Sequence, residues 1–253
     1  MKKLLTIILI FSFVLMYGQR ENCIRIKMPP KAKLLNEFIT SEHSRIPGLF
    51  NVYNKESRWY FEIPDSLLGR EIMSVTRFTR MPPGAPFYSG ELSNQQMIRF
   101  EESKNGRINL RSVGAMVSCP DSTASIFMAV DKSNYQPIIK SFDILAFSEY
   151  SYLIDVTNLF ASDMPFLMKP PMKILFGIIS IDPENSYITS VRSYPQNTEV
   201  SVVKNFSVKS DSKIQLARES GYMTMEFNTS LLLLPKEPME SRKYDRRIGY
   251  FST

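Results

Sequence analysis

The stretch WYFEIPDSLLGRE, Trp59 to Glu71, decides how the rest of the chain is read. Trp59, Phe61 and Ile63 alternate with Tyr60 and Glu62, the period-2 pattern of a strand lying over a core. Pro64 stops that strand. Asp65 is placed to cap a short helical turn begun by Ser66 to Leu68, Gly69 releases it, and Ile72 to Thr79 resumes an extended run. The stretch therefore predicts a strand, a tight turn and a second strand.

The same chemistry repeats along the chain. Gln95–Glu101 and Arg107–Val113 flank a turn at Asn105-Gly106 and predict a hairpin, with Ile108 and Leu110 inward between Arg107, Asn109 and Arg111. Thr198–Val208 puts Val200, Val202, Phe206 and Val208 on one side, interrupted by Lys204. Gly221–Leu234 puts Met223, Met225, Phe227, Leu231 and Leu233 on one side, and the two runs predict an antiparallel pair joined by the polar loop 209–220. Met81 to Pro86 holds three prolines and reads as a loop. Leu34, Leu35, Phe38 and Ile39 suit a short amphipathic helix docked on the first sheet. Ile138–Phe147 and Tyr152–Val156 read as extended, Thr157 as the cap of a helix Asn158–Ala161, and Asp182-Pro183 as a turn leading to Tyr187–Tyr194. The apolar insert from Pro165 to Ile181, divided by Pro170-Pro171, fits either a surface loop or a buried strand. The expected class is mainly β, α+β with few short helices and antiparallel sheets.

Length and composition agree with that class. With 253 residues, 43% of them hydrophobic, the chain has enough apolar side chains for an adequate core. Lys2, Lys3, the apolar run Leu4–Tyr17 and Gly18 read as a signal peptide over 1–18, cut before Gln19; the run is shorter than the roughly 20 residues of a bilayer-spanning helix. Removal of Lys2 and Lys3 lowers the formal charge from +6 to +4, and the remaining cations are interspersed with acids, which argues against nucleic-acid binding. Cys23 and Cys119 either form a disulfide in an oxidising compartment or stay as two thiols.

The wording of the anchor is more specific than its pattern. Gly48 to Arg77, GLFNVYNKESRWYFEIPDSLLGREIMSVTR, resembles the N-terminal region of secreted zinc-dependent metallopeptidases of the Bacteroidetes type, described by DUF5118 and DUF5117 domains. The likeness continues through Tyr88-Ser89-Gly90-Glu91, with Ser89 where the family often has Gly, and through Asn94-Gln95 and Arg99-Phe100. It extends over Ser133–Phe147 and Tyr152–Pro165 to Leu234-Pro235, Met239, Arg242, Asp245 and Ile248-Gly249-Tyr250-Phe251. What the resemblance implies is a lead-in segment at 19–47, DUF5118-like, and a β-rich DUF5117-like domain at 48–253 that stops at the border of an absent catalytic domain. The chain is then expected to be a truncated or split family member, exported to the periplasm or beyond.

Catalytic chemistry has little to stand on. The family's peptidases use HExxHxxGxxH, two histidines one helical turn apart with a glutamate to activate metal-bound water. Here there is one histidine, His43, in a polar stretch, read as an exposed loop residue. There is no GxSxG, P-loop or GxGxxG motif. Glu101-Glu102 is the nearest carboxylate pair, but strand neighbours point to opposite faces, so the two read as hairpin-edge charges. Tyr53, Trp59, Tyr60, Phe61, Tyr88, Tyr150 and Tyr152 read as core and cross-strand aromatics before a peptide or glycan surface. Arg242, Lys243, Arg246 and Arg247 read as a solvated segment or inter-domain contact. No catalytic, cofactor or metal residue is assigned, and zinc is expected only in the absent catalytic domain. The expected role is a scaffold or substrate-presenting region whose partners are that domain or a peptide or protein substrate, with no membrane span after signal cleavage. The alternative is an independent envelope module that binds peptide by β-augmentation.

Overall fold

The structure, a computed structural model, describes residues 32–114, 123, 125–237 and 239. The signal segment, Cys23, Cys119 and the basic cluster at 242–247 lie outside the described residues. The chain is mainly β: two sheets, one curled into a half-barrel, with few short helices.

In chain order, β1 (Lys33–Leu34) and α1 (Leu35–Phe38) are followed by β2 (Ser44–Ile46), β3 (Asn51–Lys55) and β4 (Arg58–Pro64). A 3₁₀ turn at Asp65–Leu67 leads to β5 (Glu71–Arg80), then β6 (Leu92–Glu102), β7 (Arg107–Val113) and α2 (Phe127–Ser133). Next come β8 (Ile138–Asp143), β9 (Ala146–Phe147), β10 (Ser151–Asp155), α3 (Thr157–Ala161) and α4 (Pro170–Phe176). The chain continues with β11 (Ile178–Ser193), β12 (Asn197–Val208), α5 (Gln215–Ser220) and β13 (Tyr222–Leu233). The smaller sheet runs β1-β9-β10-β4-β3-β2 and the larger β11-β12-β13-β5-β6-β7-β8. Pairing is antiparallel except for the two-residue contact of β1 with β9.

The anchor stretch joins the sheets. β4 lies in the smaller sheet and β5 in the larger, so the tight turn between them carries the chain from one layer to the other. Phe50 stacks on Phe61 at 5.0 Å and meets Phe100 of the larger sheet edge-on at 5.7 Å; Phe78 and Phe227 pack at 5.3 Å. All five rings are fully buried, and face-to-face packing of two apolar sheet surfaces forms the core. The other face of β4 is covered too. Leu35, Phe38 and Ile39 lie over Tyr53, Tyr60, Ala146 and Leu153, so the α1 segment docks on the smaller sheet, but Leu34, expected on the same helical face, is an exposed residue of β1 and the helix itself spans only Leu35–Phe38.

Both long pairs fall where alternation puts them. β6 and β7 match Phe100 with Leu110 and Glu102 with Ile108, and β12 and β13 match Val202 with Phe227 and Phe206 with Met223.

Several local expectations are corrected. Asp65 does not cap its turn from the N-cap position, which Pro64 occupies; Asp65 opens the turn and its carbonyl accepts from Leu68 N–H at 3.1 Å. The Thr157 hydroxyl accepts from Trp59 N–H at 2.9 Å, while the Asp155 carboxylate takes the Thr157 N–H. The run 138–147 is two strands in different sheets, because Ile144 and Leu145 carry the chain across. The 165–181 insert is neither surface loop nor strand throughout: Phe166, Leu167 and Met168 are buried, Pro170-Pro171 start α4, and β11 begins at Ile178. Asp182-Pro183 does not turn the chain. Asp182 pairs with Asn205 and Tyr187 with Val203, so residues 183–186 bulge opposite Lys204 alone. The Asp182 carboxylate holds that bulge by accepting from Glu184 N–H, Asn185 Nδ2 and Asn205 Nδ2, which hold its pKa below the usual range.

Candidate functional site

The sequence-level candidates are occupied by structural work. His43 is half-buried, with its ring against Phe38 and Tyr60 and Nδ1 accepting from the Thr40 amide at 3.2 Å, so it staples the α1 segment to the smaller sheet and is not a fully exposed loop residue. Glu101 is clamped between Arg99 and Arg111, each at 2.6 Å, on the outward face of β6. Its neighbour Glu102 lies near Tyr152 and Asp65; burial, partly offset by the Tyr152 hydroxyl, raises its pKa. The pair does not converge. Among the described residues, no group of three or more His, Cys, Asp and Glu is arranged to hold a metal ion.

The aromatics divide. Tyr53, Tyr60, Phe61 and Tyr152 are buried and Trp59 partly so, whereas Tyr88 and Tyr150 are exposed. The Asn94 side chain supports the 165–167 loop by donating to the Phe166 carbonyl at 2.8 Å and the Pro165 carbonyl at 3.2 Å, and Ser93 donates to the Leu167 carbonyl at 2.8 Å.

Among the described residues, the buried acidic and basic side chains are Glu62 and Lys204. Glu62 accepts from Asn51, Tyr53 and Ser151 at 2.7 to 2.9 Å, enough donors to hold a carboxylate in the interior. That carboxylate and burial push the Tyr53 phenol up to about 12, burial being the larger cause. Lys204 is the residue that interrupts the apolar face of β12. It stays on that face, 3% exposed, with Nζ donating to the Ser162 carbonyl at 2.7 Å. Burial pushes its ammonium down to about 7, with Asp163 opposing the shift and Lys173 adding to it. Sequence marked Lys204 only as an irregularity; nothing in β12 itself names Ser162.

What remains open is an edge. β11 has sixteen residues and pairs on one side with β12. At its end, Leu49 N–H donates to the Tyr194 carbonyl at 2.6 Å and the Ser193 hydroxyl to the Phe50 carbonyl at 2.8 Å, which seals that corner against the smaller sheet. From residue 178 to 192, no backbone–backbone hydrogen bond to an element other than β12 is made among the described residues; within the bulge, Glu184 N–H donates to the Asp182 carboxylate and the Ser186 hydroxyl to the Asp182 carbonyl. Ile179 and Tyr187 on this strand, and Ile174 and Leu175 just before it, are exposed. Pro183 and the bulge break the edge into two pairing-competent stretches, 178–182 and 187–192.

The family described as "Domain of unknown function (DUF5117)" matches residues 90–253, and the family DUF5118 matches residues 32–81. No curated protein and no solved structure matches the chain. The gap between the two family matches is the loop between β5 and β6, strands that lie side by side in one sheet.

Proposed function

The chain belongs to the DUF5117 family, carrying a DUF5118 segment ahead of it, and from that premise we propose that it is the exported, non-catalytic region of a zinc-dependent metallopeptidase. In this reading it scaffolds the catalytic domain or holds polypeptide for it. The observation that carries the reading is the open edge of β11, whose unpaired backbone groups and exposed Ile179 and Tyr187 suit an added strand from another polypeptide. Main-chain hydrogen bonds would supply affinity there with little demand on sequence. The same edge supports the second reading, an independent envelope module that binds peptide.

Calorimetric titration separates the two. The chain is titrated with a separately produced catalytic domain of a DUF5117-containing peptidase, and in parallel with an extended hydrophobic decapeptide. Saturable binding of the domain, weakened about tenfold or more by Ile179→Lys with Tyr187→Lys, is expected, since lysines along an edge oppose strand addition. Binding of the peptide alone selects the independent module. Affinity for the domain that ignores both lysines rejects β11 as the contact.

A further inference from the structure

We propose that the outward face of the larger sheet carries a binding groove for a neutral, hydroxyl-rich glycan, on a surface separate from the β11 backbone edge. The groove, of about 250 Å³, is lined by Ser190, Arg192 and Tyr194 of β11 and the segment after it, Glu199 and Ser201 of β12, and Asn228 of β13. Alternation builds it. Thr198, Val200 and Val202 point into the core, so Glu199 and Ser201 point out, and register sets Arg192 beside Glu199 and Ser201 beside Asn228.

The hydrogen-bond inventory selects the ligand class. Glu199 is held in place by neutral donors: Asn197 at 2.8 Å, and Asn228 and Ser230 at 2.6 Å each. Ser201 donates to the Asn228 side-chain carbonyl at 3.0 Å. The Ser190 hydroxyl, the Arg192 guanidinium and the Tyr194 phenol have no hydrogen-bond partner among the described residues. The lining thus offers fixed acceptors on β12 and β13 and free donors on β11, with one cation and one anion that balance.

An anionic ligand would meet Glu199, a cationic one Arg192, and a purely apolar one would leave the polar groups that make up most of the lining without partners. A sugar hydroxyl donates one hydrogen bond and accepts others, so a run of them uses both kinds of group at once. Tyr194, 46% exposed at the groove end, supplies a ring face for the C–H side of a pyranose. The groove is partly open to solvent.

The test is an NMR titration of the ¹⁵N-labelled protein with cellohexaose, xylohexaose and mannohexaose, with hexagalacturonate and hexaglycine as comparisons. Saturable shifts at Ser190, Arg192, Tyr194, Ser201 and Asn228 with at least one neutral sugar are expected. Tyr194→Ala and Arg192→Ala should each weaken that binding about tenfold, while Tyr222→Ala, an exposed tyrosine outside the groove, should leave it unchanged. No shift with any neutral sugar overturns the proposal. Shifts with hexagalacturonate alone make the groove an anion site, and tighter binding of hexaglycine makes it a polypeptide site; either outcome rejects a glycan.

Discussion

Gly48 lies directly against Ser193: a Cβ built at residue 48 would stand 2.3 Å from the Ser193 hydroxyl oxygen and 2.5 Å from its carbonyl carbon. The clash takes in the Ser193 backbone as well as its side chain, at the corner where the smaller sheet abuts the end of β11, so turning the hydroxyl away would not relieve it. Gly48→Ala should cost about 2 kcal/mol or more, in the range of overpacked interiors. Gly69→Ala is the comparison, because Gly69 has φ +76° with nothing within 4 Å, and only the backbone penalty of about 1 kcal/mol applies. Urea midpoints that rank the two variants the other way would mean the corner is soft.

Lys204 gives the fold a pH dependence of predictable sign. Its folded pKa of about 7 lies below the ordinary lysine value of 10.5, so between these values the unfolded chain binds more protons and stability rises with pH. Below pH 7 both states are protonated and the full penalty of a buried ammonium is present; above 10.5 it is gone. Lys204→Met removes this slope at the cost of one hydrogen bond to Ser162. The variant should therefore gain on wild type by about a few kcal/mol at pH 6 and lose that advantage by pH 10. Parallel stability curves for the two proteins across that range would show that the amine is solvated.

Phe61 and Phe227 sit fully buried on the facing surfaces of the two sheets, and Thr224 is exposed on β13 with a hydrogen bond to Asn205. Phe61→Ala and Phe227→Ala should each cost about 3 to 5 kcal/mol, and Thr224→Ala less than about 1. Chemical denaturation measures all three. Equal tolerance would contradict the shared core.

The family matches 32–81 and 90–253 divide the chain between two strands of one sheet. β5, from the first, is inserted between β13 and β6, from the second, and Ile72 and Phe78 fill the common core. Polypeptides cut within 82–89 should each lack cooperative unfolding and recover it when co-expressed. Independent folding of either fragment, seen as a sharp thermal transition, would make β5 a detachable element.

Period-2 alternation made the long strands legible because each buries one face: β12 and β13 read correctly down to which of Val200, Val202, Met223 and Phe227 point inward. Where a residue serves a distant partner, the local pattern misleads. Thr157 has the chemistry of a helix cap, but its hydroxyl is engaged by Trp59, 98 residues away. Asp182-Pro183 has the chemistry of a turn, but a neighbouring strand keeps the chain extended and turns the excess residues into a bulge. The step from β8 to β9 left no mark, since Ile144 and Leu145 are as apolar as the strands on either side. The β11 edge and the groove beside Arg192 were equally invisible, because both depend on which strands become neighbours.

The central seam of the larger sheet has a kinetic meaning. Across it the hydroxyls of Thr76 and Thr229 lie 2.9 Å apart, joined by residues 153 positions distant in sequence. Closing a loop ten times longer than a hairpin-scale one of about 15 residues costs about 2 kcal/mol more in chain entropy. Hairpins such as β6 with β7 can form early and locally, but β5 must wait for β13, near the end of the described chain. The nascent chain therefore carries an unpaired β5 flank until β13 has been made, and the rate at which β13 finds it should limit folding.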